Sequence, residues 1–501
     1  MLLRTISRGL LLFALFGLAA CQAGTPAVAP TALPAAATAA PTRTAAPDPT
    51  AAPAPTAAPD PTNLPAPTSA PAAGTLLPAP LYFIGEGGQI WRMEADGASK
   101  RQITFEAAPI NDFDIAPNDN ALAYLIGEAD GLTIVLLDAG GRTELISGPV
   151  AAPTFSPDGA QLLFQIYTAS AGTPTGGDSA ETTGIFAAAR SGGRPNLVLA
   201  SDPIADPNNP PDDARQYYPV GFSPDGTQLL VGGYYPIGES GFVAIRSMAN
   251  GALVDIDQGC CEVAWSTDGS AVIVAGGTVV QDAQLGLWRA DPHTGASTPL
   301  LAPTDTAGSP LVTAARQLAD GTIYAFVAVT KEPSIENLDK LAPQRVRPDG
   351  TLEPLGDRSY LLADALWADD ARGVVIAEAT ADQRYDNAAL AWLPADGGAP
   401  VSLGARGTAL HWGQAAAQPT ADACARFVPL AWQAPGTRAA SPAVAELQRR
   451  LLGLGYSAVG TADGLYGDQT RAAVRAFQQA SGLPTGGDVD CATWAALLGA
   501  G

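Results

Sequence analysis

Residues Val220-Gly221-Phe222-Ser223-Pro224-Asp225-Gly226, followed by Gln228-Leu229-Leu230-Val231, hold the unit that decides the fold. Proline presets φ at the second turn position and glycine accepts the positive φ that closes it, so the turn joins two apolar runs as a hairpin. The unit recurs as Pro153-Thr154-Phe155-Ser156-Pro157-Asp158-Gly159 before Gln161-Leu162-Leu163-Phe164, and as Val263-Ala264-Trp265-Ser266-Thr267-Asp268-Gly269 before Ala271-Val272-Ile273-Val274. Weaker copies cover 113–125, 314–326 and 365–376. A repeat of this kind fixes the architecture before any single element does. Each turn opens a unit of four strands, which predicts units at 110–147, 152–199, 219–256, 262–301, 312–356 and 362–403.

The two ends of this region supply one more unit. Leu81-Tyr82-Phe83-Ile84, Gln89-Ile90-Trp91-Arg92-Met93 and Arg101-Gln102-Ile103-Thr104 read as second, third and fourth strands without a first, and Thr408-Ala409-Leu410-His411-Trp412 reads as a first strand with nothing after it. Pairing them closes a ring and removes its exposed edges. The expected fold is mainly β: a seven-bladed β-propeller over 81–413, closed by strands from both ends, plus a small C-terminal three-helix domain. The Phe/Trp-Ser-Pro/Thr-Asp-Gly turns resemble those of TolB-type (WD40-like) propellers. That resemblance implies a scaffold for contacts, although related propellers also sit beside hydrolase domains or carry catalytic residues in their channel, and fold alone names no function.

Asp158, Asp225 and Asp268 are assigned to bonding the backbone within their own turns. Inserts at 168–184 and 201–216 are expected to project from one face and offer the propeller's partner site. Asp206, Asn208, Asn209, Asp212 and Asp213 lack a calcium-loop spacing and read as a solvated loop. His293, in a blade turn, and His411, in the closing strand, are given structural roles.

The 501-residue chain carries 27 Lys+Arg against 49 Asp+Glu, a net charge of -22, so nothing drives it onto a phosphate backbone and nucleic acid is excluded as a partner. Two histidines leave little material for metal or acid–base sites. No Gly-x-Ser-x-Gly elbow, His-Glu-x-x-His helix or phosphate loop is present, so no catalytic residue, metal or cofactor is assigned.

Arg4 and Arg8 precede an apolar run from Gly9 to Ala20, too short to span a bilayer as a helix and suited to a signal peptide over 1–20. The run ends in Leu18-Ala19-Ala20-Cys21, which resembles the bacterial lipobox and implies diacylglyceryl transfer to the Cys21 thiol and cleavage of the chain just before Cys21. Residues 21–80 form an Ala/Pro/Thr-rich tether whose polyproline content gives a reach of as much as roughly 180 Å.

Beyond a linker at 414–440 the apolar period changes from 2 to 3.6. Ser441 and Pro442 open a helix with Val444, Leu447, Leu451 and Leu454 on one stripe; a second helix runs over 468–480, and Asp490 caps a third. Leu447-Gln448-Arg449-Arg450-Leu451, Asp463-Gly464-Leu465-Tyr466-Gly467-Asp468-Gln469-Thr470, Ala473-Val474-Arg475-Ala476-Phe477-Gln478 and Thr493-Trp494-Ala495-Ala496-Leu497 resemble the type 1 peptidoglycan-binding domain. The resemblance covers 441–501 and implies recognition of wall glycopeptide without cleavage, or service as a protein adaptor. Gly464, Gly467, Thr470, Phe477 and Trp494 are read as framework. Asp463, Tyr466, Asp468, Arg471 and Gln478 are the candidate peptidoglycan contacts, a phenol ring to stack on sugar and polar groups to bond it.

With Cys21 lipidated, Cys260, Cys261, Cys424 and Cys491 allow three pairings. Cys424 with Cys491 and a vicinal Cys260-Cys261 bridge are favoured, with a redox-active pair as the alternative. The resulting expectation is a non-catalytic, extracytoplasmic lipoprotein, held to the membrane by its lipid and facing the wall. Its partners are peptidoglycan, through the C-terminal domain, and an unidentified protein or glycan at the propeller loops. The rival is a wall or glycan hydrolase or lyase with its site in the propeller channel and the C-terminal domain for targeting.

Overall fold

A computed structural model describes residues 75–128, 131–167, 182–204, 210–236, 241–258, 262–276, 285–304, 308–318, 321–330, 340–380, 387–414 and 421–499. Among these residues, twenty-eight strands, numbered in chain order, form seven four-stranded antiparallel sheets. The innermost strands are β4 (Ile110–Ile115), β8 (Val150–Phe155), β12 (Gln216–Phe222), β16 (Glu262–Trp265), β20 (Ser309–Gln317), β24 (Leu362–Trp367) and β28 (Thr408–Trp412). The last of these pairs with β1 (Leu81–Ile84), which continues to β2 (Ile90–Met93) and β3 (Lys100–Gln102), so strands from both ends of the region close the ring. Cys21, the signal and most of the tether, Cys260 with Cys261, the first insert from 168 to 181, and Asp206, Asn208 and Asn209 lie outside the described residues; Asp212 and Asp213 are exposed.

Three repeated devices hold neighbouring blades together. In the first, a carboxylate on one inner strand accepts a backbone N–H from the next: Asp114 from Phe155 at 2.8 Å, Glu262 from Ala314 at 2.6 Å and Asp364 from Leu410 at 2.9 Å. Register shifts near these positions in β8, β20 and β28, where Ala152, Ala314 and Ala409 take positive φ, mark bulges in the inner strands. Glu262 also accepts from Thr313 at 2.8 Å, and its burial still pushes its pKa up.

In the second device, an indole N–H reaches the preceding blade: Trp265 to Gly221 O at 3.3 Å, Trp367 to Ala314 O at 2.8 Å and Trp412 to Trp367 O at 2.9 Å. The aromatic residue before the turn serine is therefore a blade-to-blade clasp. The third device is the turn itself. Ser266 Oγ donates to Asp268 Oδ1 at 2.7 Å, Ser270 N donates to the same oxygen at 3.0 Å, and Ala271 N donates to Ser266 Oγ at 3.0 Å. The turns at 156–161 and 223–228 repeat this set. Gly269 sits at φ +73, and a Cβ there would lie 3.2 Å from Pro224, so successive turns nest around one end of the channel.

These bonds hold the Asp268 pKa at about 2 against an ordinary 3.8, the Ser270 N–H first and the Ser266 hydroxyl next. A depressed carboxylate pKa contributes stability above the ordinary value, and that contribution is lost as pH falls through about 2. A carboxyl NMR titration is expected to place the Asp268 midpoint near 2 and to move it upward in Ser266→Ala. A wild-type midpoint at 3.8 contradicts the turn network.

The C-terminal region contains α1 (Ala421–Arg426), α2 (Pro442–Gly453), α3 (Asp468–Ala480) and α4 (Cys491–Leu498), the last three around Leu447, Leu451, Tyr466, Val474, Phe477 and Trp494. Asp490 caps α4 by accepting from Thr493 N at 2.8 Å. Ser441 occupies the N-cap of α2 without a side-chain bond, and its N–H instead donates to Gly464 O at 3.0 Å.

The segment read as a linker over 414–440 is, from 421 onward, part of this domain. Cys424 in α1 is disulfide-bonded to Cys491 in α4, Leu430 pairs with Val489 as an antiparallel bridge, and Gln433 N donates to Tyr466 O at 3.0 Å. Its Pro, Ala and Gly content suits a spacer, but Phe427, Leu430 and Trp432 pack on the helical core and fasten it.

The helical domain is also mounted on the propeller. Asp138, at the end of β6 (Gly131–Asp138), accepts from Arg190 at 3.0 Å and from Arg426 of α1 at 2.6 Å, while its main-chain oxygen accepts from Trp494 Nε1 at 3.2 Å. Arg190 also pairs with Asp119 at 2.9 Å. Ala139, Ala423 and Ala495 pack together at the same junction, Arg92 of β2 donates to Gly499 O, and Arg449 and Arg450 lie over the Phe105 ring.

Candidate functional site

The helical domain repeats one piece of local chemistry in its two halves. Gln448, on the buried face of α2, donates to Asp463 Oδ1 at 2.9 Å and to Thr470 Oγ1 at 3.0 Å, and accepts from Gly464 N at 2.8 Å. Gln478, on the buried face of α3, donates to Asp488 O at 2.8 Å and to Thr493 Oγ1 at 3.1 Å, and accepts from Gly487 N at 2.9 Å. Each amide has a donor and an acceptor on one planar head, so it satisfies a glycine N–H and an oxygen of the same loop together. Two polar loops are thereby held against a small apolar core.

This framework corrects two of the candidate contacts. Tyr466 is fully buried, its hydroxyl donates to Gly487 O at 2.8 Å, and burial drives its pKa well above the ordinary value. Gln478 is 2% exposed and has its amide committed as described. Neither side chain is presented at the surface; both hold the backbone of the Gly486–Gly487 loop. Replacing Gln478 by Ala takes the amide partner from the Gly487 N–H and the Asp488 carbonyl and is expected to lower stability by about 2 kcal/mol, read as a denaturant midpoint shift. An unchanged midpoint contradicts the framework role.

Asp463, Asp468 and Arg471 lie on the outside. Asp463 is exposed and bonds Leu465 N at 2.9 Å as well as Gln448. Asp468 accepts from Trp432 Nε1 at 2.7 Å and from Arg438 at 3.0 Å, and these two donors hold its pKa below the ordinary value. Arg471 lies over the Trp432 ring, 5.7 Å from its centroid, and donates to Gly486 O at 3.4 Å. The sequence pattern missed Trp432 and Arg438; a tryptophan in a Pro/Ala/Gly stretch was the available signal.

A second candidate site is a cavity of about 460 Å³ where the inner strands converge at the turn-bearing end of the channel. Asp114, Arg316, Asp369 and His411 line it from four blades, with Phe222 and Trp265 as aromatic walls. Arg316 pairs with Asp369 at 2.6 Å, while His411 packs on Phe113 and stands 3.6 Å from Asp114. Among the described residues no group of three or more His, Cys, Asp or Glu is arranged to hold a metal ion.

The family described as "Putative peptidoglycan binding domain" matches residues 440–497. No curated protein matches the chain. Among solved structures, TolB from Acinetobacter baumannii is 15% identical with a TM-score of 0.37, over 68% of this chain and 66% of that one. A functionally unknown protein from Desulfotomaculum acetoxidans is 13% identical with a TM-score of 0.41, over 67% of this chain and 99% of that one. A prolyl endopeptidase is 12% identical with a TM-score of 0.40, and the chain spans about half of its length, 49%. The chain thus joins a seven-bladed propeller to a helical domain at its C-terminus that matches the peptidoglycan-binding family.

Proposed function

We propose that this chain is a non-catalytic cell-envelope lipoprotein, anchored through Cys21, that binds peptidoglycan with its C-terminal domain and presents the propeller to a protein or glycan partner. The observation that carries this reading is the match of residues 440–497 to the peptidoglycan-binding family, with both loop-clamping glutamines in place. The mounting of that domain on β6, through Arg426 of α1 and Trp494, supports a consequence: the wall contact orients the propeller. A non-catalytic channel is supported by the use of three inner-strand acids as blade staples, since Asp114, Glu262 and Asp364 each accept a backbone N–H from the next blade, and by the pairing of Asp369 with Arg316.

Calorimetric titration of muramidase-released muropeptides into the full chain tests the reading. Saturable binding without new cleavage products is expected. No heat at millimolar muropeptide contradicts wall binding, and release of new fragments contradicts the non-catalytic assignment.

A further inference from the structure

We infer that the wall contact is a cationic face formed by Arg438, Arg471 and Arg475 around Trp432, and that it takes the free carboxylates of peptidoglycan stem peptides. The inference rests on the wall-binding reading and names the surface and the chemistry that reading leaves open.

From 421 to 501 the sequence has six arginines and no lysine. The structure divides them into two sets. Arg426, Arg449 and Arg450 face the propeller, engaging Asp138 and the Phe105 ring. Arg438, Arg471 and Arg475 gather elsewhere, at the Gly486–Gly487 loop and the segment 432–438. Arg471 and Arg475 each donate to Gly486 O, at 3.4 and 3.3 Å, and a Cβ on Gly487 would lie within 2.9 Å of both side chains. Arg438 donates to Gln433 O at 2.9 Å and pairs with Asp468.

A guanidinium carries five N–H donors, and the bonds just given use one or two of them on each arginine. The remaining donors suit carboxylates, which guanidinium binds in a bidentate fork. Trp432 fixes this face. Its backbone N–H donates to Asp488 at 3.1 Å, its indole to Asp468, and its ring carries Arg471, so the arginines are held apart from one another around a half-buried aromatic edge. Trp432 and Arg438 lie before the residues that match the family, so the face includes a strap this chain adds to the domain. Asp468 already pairs with Arg438, while Arg471 and Arg475 hydrogen-bond a main-chain carbonyl, and in a chain of net charge -22 these two clustered cations suit an anionic partner.

The test is co-sedimentation of the full chain with purified sacculi, comparing wild type with Arg471→Gln/Arg475→Gln. An Arg347→Gln/Arg372→Gln chain removes equal charge from exposed propeller positions. The first variant is expected to bind at least about tenfold more weakly, as loss of two charge-assisted contacts implies, with its melting temperature kept and the propeller variant unchanged. Sacculi whose carboxyls are blocked by carbodiimide-coupled amidation are expected to lose wild-type binding to a similar extent, which needs no variant. Equal pelleting of wild type and Arg471→Gln/Arg475→Gln overturns this face while leaving wall binding standing, as does undiminished binding to amidated sacculi. Failure of the wild type to pellet overturns both.

Discussion

Asp138→Ala is expected to lower the unfolding free energy by about 3–5 kcal/mol, the cost of removing one partner from a buried ionic cluster. The Asp138 side chain is fully buried and receives Arg190 from one direction and Arg426 from another, with Asp119 as the other carboxylate on Arg190. Without it the Arg190 guanidinium keeps one partner in a site where its side chain is 7% exposed, and α1 loses its charged tie to the propeller. Asp138→Asn preserves shape and the Trp494 bond to the main chain but removes the charge, so it is expected to fall between wild type and alanine. Thermal or urea unfolding followed by intrinsic tryptophan fluorescence and circular dichroism measures the change. A shift below about 1 kcal/mol, the range of exposed ion pairs, contradicts the hub.

The second large effect is expected from the disulfide. Cys424 and Cys491 are separated by 67 residues, so the cross-link closes a loop that holds α2 and α3 as well as the strap. Loop-closure entropy for that length is worth about 4 kcal/mol to the folded state. Cys424→Ser with Cys491→Ser is expected to lower the stability of the helical domain by about 2–4 kcal/mol and to open 421–440 to proteolysis, while the propeller keeps its melting transition. The propeller is closed independently by the pairing of β28 with β1. An intact strap in the double variant contradicts the claim that the cross-link fastens it.

The propeller was legible because its signal is periodic. Ser-Pro-Asp-Gly turns and their flanking apolar runs state a hairpin at each copy, and Leu81-Tyr82-Phe83-Ile84 and Leu410-His411-Trp412 state the closure. The mounting of the helical domain was not legible, since Asp119, Asp138, Arg190 and Arg426 come from distant segments with no shared spacing. The misreading of Tyr466 and Gln478 has another cause. In a domain of this size polar side chains are needed to satisfy loop backbone, and a Tyr or Gln between turn glycines serves that need as well as it would serve a ligand. The internal correspondence of Gln448, Gly464 and Thr470 with Gln478, Gly487 and Thr493 carried that message in the sequence.

We propose that this propeller is held on the cell wall by the domain at its C-terminus. Equilibrium co-sedimentation of the full chain with intact sacculi, beside the same sacculi solubilised by muramidase, measures it most directly. Saturable pelleting with intact sacculi, competed away by the solubilised material, is the predicted result. A chain that stays in the supernatant at every concentration of intact sacculi contradicts the claim and leaves the helical domain as a protein adaptor.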